Sequence, residues 1–274
     1  MILKETNNIM EKRGQVTHFA FANKRVENRM NKRGQVTLFI IIGILIVAII
    51  LMFFLWISPT YLGENSKRLG FEGCVEDALE LTIEELGVNA GFPNPEFAYS
   101  YLGDKIAYLC YTNEFYITCT IQKPFLVQHF EEGISKSLRD EINACYLASI
   151  NDLKERGYEV VSGEVNYEVS LEPSVARVLI DAPTTVGANK FARFNVKLNS
   201  PIYDMIMIST SILQFESELG DSDVTSLMFL HPEVIIDKLK QGDGTTIYIV
   251  TSEDYGTQFK FASRSLAWPA GYDI

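Results

Sequence analysis

Four cysteines, Cys74, Cys110, Cys119 and Cys145, and three histidines, His18, His129 and His231, carry the most specific chemistry in this 274-residue chain. Thiolates ligate zinc, attack carbonyls or pair as disulfides, and spacing separates these uses. There is no C-x-x-C pair and no clustered His, so an even set of cysteines favours two disulfides over zinc. His129 comes before Glu131 and Glu132 where a helix begins, and His231 precedes Pro232 at a turn; neither has a partner that would make a nucleophile and base. No G-x-S-x-G elbow, H-E-x-x-H helix or phosphate-cradling Gly loop is present. Asp221, Asp223, Asp243, Glu253 and Asp254 have calcium chemistry but not the EF-hand spacing, so a solvated acidic surface is expected. No catalytic, cofactor-binding or metal residue is assigned, and no cofactor is expected.

The cysteines need elements to bring them together. Phe71, Val75, Ala78, Thr82 and Leu86 recur at helical spacing, and Gly87 to Pro95 ends that helix. A second helix from about Val127 to Arg156 carries the stripe Phe130, Ile134, Leu138, Ile142, Tyr146, Ile150 and Leu153, with Gly157 as its stop. Between them, Ile106 to Tyr111 and Phe115 to Ile121 read as a hairpin around Asn113 and Glu114. Four cysteines allow three pairings. The hairpin sets Cys110 opposite Cys119, and Cys74 and Cys145 lie on or beside helix faces that can pack together, so those two pairs are expected.

From Tyr158 the period changes to two. Val160 to Val161, Glu164 to Leu171, Val175 to Ile180 and Phe191 to Leu198 read as an antiparallel meander. Pro201 to Leu219 returns to helix, with Ile202, Met205, Ile206, Ile212, Phe215 and Leu219 expected on its buried side. Val224 to Leu230 adds a short turn, and Val234 to Leu239, Thr245 to Thr251 and Gln258 to Ala262 add a small sheet. The expected fold is α+β: an N-terminal transmembrane helix, then a disulfide-braced ectodomain with helices packed on antiparallel sheet, residues 58–157 carrying the cysteines and residues 158–274 being strand-rich.

The membrane expectation rests on Leu38 to Ile57, 20 residues without charge, amide, hydroxyl or proline. Such a run is about 30 Å long as a helix, the thickness of a bilayer core. Residues 1–37 hold eight basic against three acidic side chains, whereas residues 58–274 hold 16 against 32, a net −16. Basic residues before the span place the N-terminus in the cytoplasm and the remainder outside, where disulfides persist. The run continues into Trp56, Ile57, Ser58 and Pro59 with no small-x-small site, which favours a retained anchor over a cleaved secretory signal. The acidic ectodomain disfavours nucleic acid as a partner.

Met10 to Thr17 (MEKRGQVT) recurs as Met30 to Thr37 (MNKRGQVT), and only the second copy leads into the apolar run. Met30 is then a plausible start, and residues 1–29 read as a duplicated, disordered leader. Lys32-Arg33-Gly34-Gln35-Val36-Thr37-Leu38-Phe39 resembles the class III signal of archaeal type IV pilin-like proteins. The resemblance implies cleavage between Gly34 and Gln35 by a prepilin peptidase. Pilins commonly have Glu at the fifth mature position, where Phe39 stands, so the resemblance implies processing without implying polymerisation. Cys74 on an acidic helix, Cys145 late in a second helix and a following strand-rich region also resemble single-span surface proteins of small-genome archaea.

The expected function is a membrane-anchored extracellular structural or partner-binding protein without catalytic activity; the alternative is a pilin-like subunit or minor component of a filament-related system. Expected partners are the lipid bilayer, a prepilin peptidase and other surface or pilin-like proteins. N-terminal sequencing of the purified chain checks the processing expectation: a first residue of Gln35 supports it, and a first residue of Met1 or Met30 contradicts it.

Overall fold

The computed structural model describes residues 40–50, 52 and 69–267, which divide into two compact units, 1–66 and 67–274. Gly34 and Gln35, with the rest of the leader and its repeat, lie outside the described residues. In the first unit residues 40–50 and 52 are helical with exposed side chains. The expected membrane-spanning helix is corrected here: among the described residues no helix is long and apolar enough to cross a membrane.

The second unit is α+β. Helix α1 (Glu72–Val88) buries Val75, Leu79, Ile83 and Leu86, a three-to-four spacing that makes one apolar stripe. Strands β1 (Ala98–Tyr101) and β2 (Asp104–Tyr111) form a hairpin, and β3 (Thr120–Ile121) pairs with the end of β2. Helix α2 (Leu126–Glu155) turns Phe130, Ile134, Leu138, Ile142, Tyr146 and Ile150 inward. It crosses the loop after α1 so closely that a Cβ on Gly133 would sit 2.4 Å from the Gly91 carbonyl oxygen. Only glycine fits there.

Next come β4 (Val160–Ser162), β5 (Asn166–Glu172), β6 (Val175–Val186) and β7 (Asn189–Asn199), an antiparallel sheet in which β6 pairs with all three others. Helix α3 (Ile202–Leu219) ends on Gly220, whose left-handed φ of +82° closes the last turn. Short helix α4 (Val224–Leu230) leads to β8 (Val234–Lys240), β9 (Thr245–Ser252) and β10 (Gln258–Arg264). These strands do not stand alone. β10 pairs in parallel with β2, giving a six-stranded sheet in the order β1-β2-β10-β9-β8 with β3 beside β2. Helices α1 and α3 contact both sheets, and one apolar core runs through all three layers.

Two details of the expected elements are corrected. Phe115 to Cys119 is not strand: β2 finds its hairpin partner in β1, and Tyr116 takes a φ of +65° that no ladder accommodates. In α3, Phe215 and Leu219 point outward, and Glu216 takes the buried place.

Both disulfides are formed, Cys74 with Cys145 and Cys110 with Cys119, and no cysteine is free. The first joins α1 to α2 across 71 residues of sequence, the second closes a loop across 9. Constraint of the unfolded chain makes them worth about 4 and about 3 kcal/mol. Non-reducing peptide mapping is expected to find these two linkages and no alkylatable thiol, and Cys74→Ser with Cys145→Ser to cost about 4 kcal/mol in denaturant unfolding. Four reactive thiols in the untreated protein contradict this.

Candidate functional site

Helix α3 lies across the inner face of the six-stranded sheet because it alternates Ile202, Met205, Ile206, Ile212 and Leu213 with the outward polar side. One turn before its end the inward phase lands on Glu216, 2% exposed. Its Oε1 accepts from the Tyr248 hydroxyl of β9 at 2.5 Å and its Oε2 from Ser263 Oγ of β10 at 2.7 Å. Ser263 Oγ also lies 3.5 Å from Cys119 Sγ. One carboxyl thus joins a helix end, two strands and the disulfide-closed loop.

Burial raises the Glu216 pKa, opposed by the two hydroxyl donors; Asp221 pushes the same way as burial and Lys238 against it. Burial, reinforced by the neighbouring Glu216, also holds the Tyr248 phenol well above its ordinary value.

Beyond Gly220 the chain turns over the outer edge of β8. Lys238 Nζ contacts Asp221 Oδ1 at 2.5 Å and donates to the Ser222 carbonyl at 2.7 Å, and Lys240 Nζ is 3.5 Å from Asp221 Oδ2. Asp223 caps α4 by accepting from the Thr225 and Ser226 amides and the Ser226 hydroxyl, bonds that hold its carboxyl below the usual range. The Ile236 amide donates to Met228 Sδ at 3.3 Å, which seats α4 on the strand edge.

Between the end of α3, α4 and the last residues of β8 lies a cleft of 790 Å³, a volume within the range of ligand pockets, about 300–1,000 Å³. Its walls are Phe215, Leu219, Val224, Leu227 and Leu230, with Lys238 and Asp221 at the rim. Leu230 is 68% and Leu219 60% exposed. Ser222 also lines it, with Oγ buried and without a hydrogen-bond partner.

The residues singled out in the sequence lie elsewhere, apart from Asp221 and Asp223, which act as structural anchors. Asp243 accepts from the Thr245 amide in the β8–β9 turn. Among the described residues no group of three or more His, Cys, Asp or Glu is arranged to hold a metal. His231 pairs with Glu233 at 3.3 Å. His129 packs at a tilt against Phe92 with ring centres 4.3 Å apart, its Nε2 buried and unpartnered. Burial, then the Lys123 charge, lowers its pKa.

No family model matches the chain, and comparisons with curated proteins and with solved structures find no match.

The raised Glu216 pKa makes a signed prediction. An acid held above its unfolded value stabilises the fold while protonated, and that contribution is lost as pH rises through the folded pKa. Glu216→Gln preserves an acceptor for Tyr248 and a polar contact to Ser263, so its melting temperature is expected to gain on that of the native chain as pH rises above about 4.5. A difference that stays constant with pH contradicts the assignment. Glu216→Ala orphans two buried hydroxyls and is expected to cost about 1–3 kcal/mol or more at any pH.

Proposed function

We propose that this chain is an extracytoplasmic, disulfide-braced partner-binding protein whose docking site is the cleft between α3, α4 and β8. The observation that carries the reading is the cleft itself: five apolar side chains face it, two of them mostly exposed, on a frame held by ion pairs, a helix cap and a buried carboxyl. Such a concave apolar surface with a polar rim suits a partner that inserts apolar side chains. The two disulfides support placement in an oxidising compartment, since paired cysteines on this scale do not persist where thiols are kept reduced.

The site is tested with an apolar fluorescent probe, 1-anilinonaphthalene-8-sulfonate, on the full chain. The native protein is expected to show a saturable site that Leu230→Asp removes, with the circular dichroism spectrum unchanged because Leu230 is exposed. Identical probe binding by both proteins contradicts the cleft as the docking surface.

A further inference from the structure

The end of the six-stranded sheet that holds the cleft also carries a projecting apolar loop. Between Cys110 and Cys119 the chain leaves β2 and presents Phe115, 71% exposed, Tyr116, 79% exposed, and Ile117. This loop is rigidly built. The disulfide closes its base, the Tyr116 amide donates to the Leu266 carbonyl at 2.7 Å, and the Leu266 amide returns a bond to the Ile117 carbonyl at 3.2 Å. Tyr116 holds a φ of +65°, a left-handed conformation costly for an aromatic residue that persists only where its surroundings impose it. A loop fixed at this cost with its apolar side chains in water is preorganised to insert them elsewhere.

Register places the loop beside the cleft. Lys240 pairs with Thr246, Thr246 with Ser263, and Ser263 with Cys110, so the cleft rim and the loop base stand in one row across the sheet. Strands β2, β10 and β8 run in the same direction, which brings the ends of β2 and β8 to the same side, about 14 Å apart over three strand spacings. A projection and a socket side by side on one surface are self-complementary under a two-fold rotation: each copy's loop enters the other's cleft.

Resting on the reading of the cleft as a docking site, we propose that its occupant is the Phe115-Tyr116-Ile117 loop of a second copy of this chain, in a reciprocal dimer. The chemistry matches on both sides. The loop supplies two aromatic rings and a branched aliphatic group to walls of Phe215, Leu219, Leu227 and Leu230. Three such side chains cover about 400 Å². Counting both loops and the smaller area of wall that each can cover, the exchange buries about 1,200 Å², the lower end of the range for specific interfaces. Insertion of one loop alone falls well below that size, which favours reciprocity over a one-sided contact.

The test is photo-crosslinking on the full chain, with p-benzoylphenylalanine replacing Tyr116 and a mixture of ¹⁴N- and ¹⁵N-labelled protein. Mixed-isotope crosslinks are expected to map to residues 213–230 of the other copy, and Leu230→Asp is expected to lower their yield at least tenfold. The same photoreactive residue at Tyr158, exposed elsewhere on the surface, is expected to give none to that segment. Mixed-isotope crosslinks that map to other segments, crosslinks confined to one chain, or none at all overturn the dimer. If the crosslinks fail while native protein, but not Leu230→Asp, still binds the apolar probe, the docking cleft stands and the second copy is excluded. Failure of both removes the cleft reading as well.

Discussion

Glu216 brings a carboxyl group into an interior where an unpaired charge is not tolerated, and the surrounding elements are arranged to receive it. The helix end must sit over β9 and β10 so that Tyr248 and Ser263 can each donate to one carboxyl oxygen. An apolar residue at this position would let α3 slide along a smooth sheet face. A carboxyl with two directional partners fixes both its height and its rotation. That fixed rotation turns Phe215 and Leu219, on either side of Glu216, outward into the cleft.

From this anchor the remaining geometry follows in short steps. Gly220 ends the helix and Asp223 starts the next, and between and beyond them Asp221 spans Lys238 and Lys240, the Ser222 carbonyl accepts from Lys238 and Met228 accepts from the Ile236 amide, which ties the socket wall to the edge strand. On the other side of the carboxyl, Ser263 touches Cys119 and thereby the base of the projecting loop. The Cys74–Cys145 bond acts at a distance from this end, holding α1 against α2 where they contribute to the shared core.

Much of the fold was legible in the sequence because its period was regular. The apolar stripe of α2 from Phe130 to Ile150 and the alternation along β5 and β7 give elements with nearly the observed bounds, whereas β6 runs on past the expected end at Ile180 to Val186. What escaped were features set by long-range pairing. β1 carries Tyr99 and Tyr101 in a short segment without strong alternation and becomes a strand because β2 is beside it. The parallel contact of β2 with β10 spans most of the unit, and nothing local announces it. The clamp was detectable in principle: the series Ile202, Met205, Ser209, Ile212, Glu216 holds a helical phase with two polar members, and both are buried. Reading Phe215 and Leu219 as core followed hydrophobicity instead of phase.

The account is tested most directly by hydrogen exchange measured by mass spectrometry on the native chain and on Glu216→Ala. If the buried carboxyl is the common anchor, the substitution speeds exchange together in residues 213–230, 259–264 and 110–119, while residues 166–199 of the four-stranded sheet keep their protection. Acceleration limited to α3, or spread evenly over both sheets, would show that cleft and loop are held independently of Glu216.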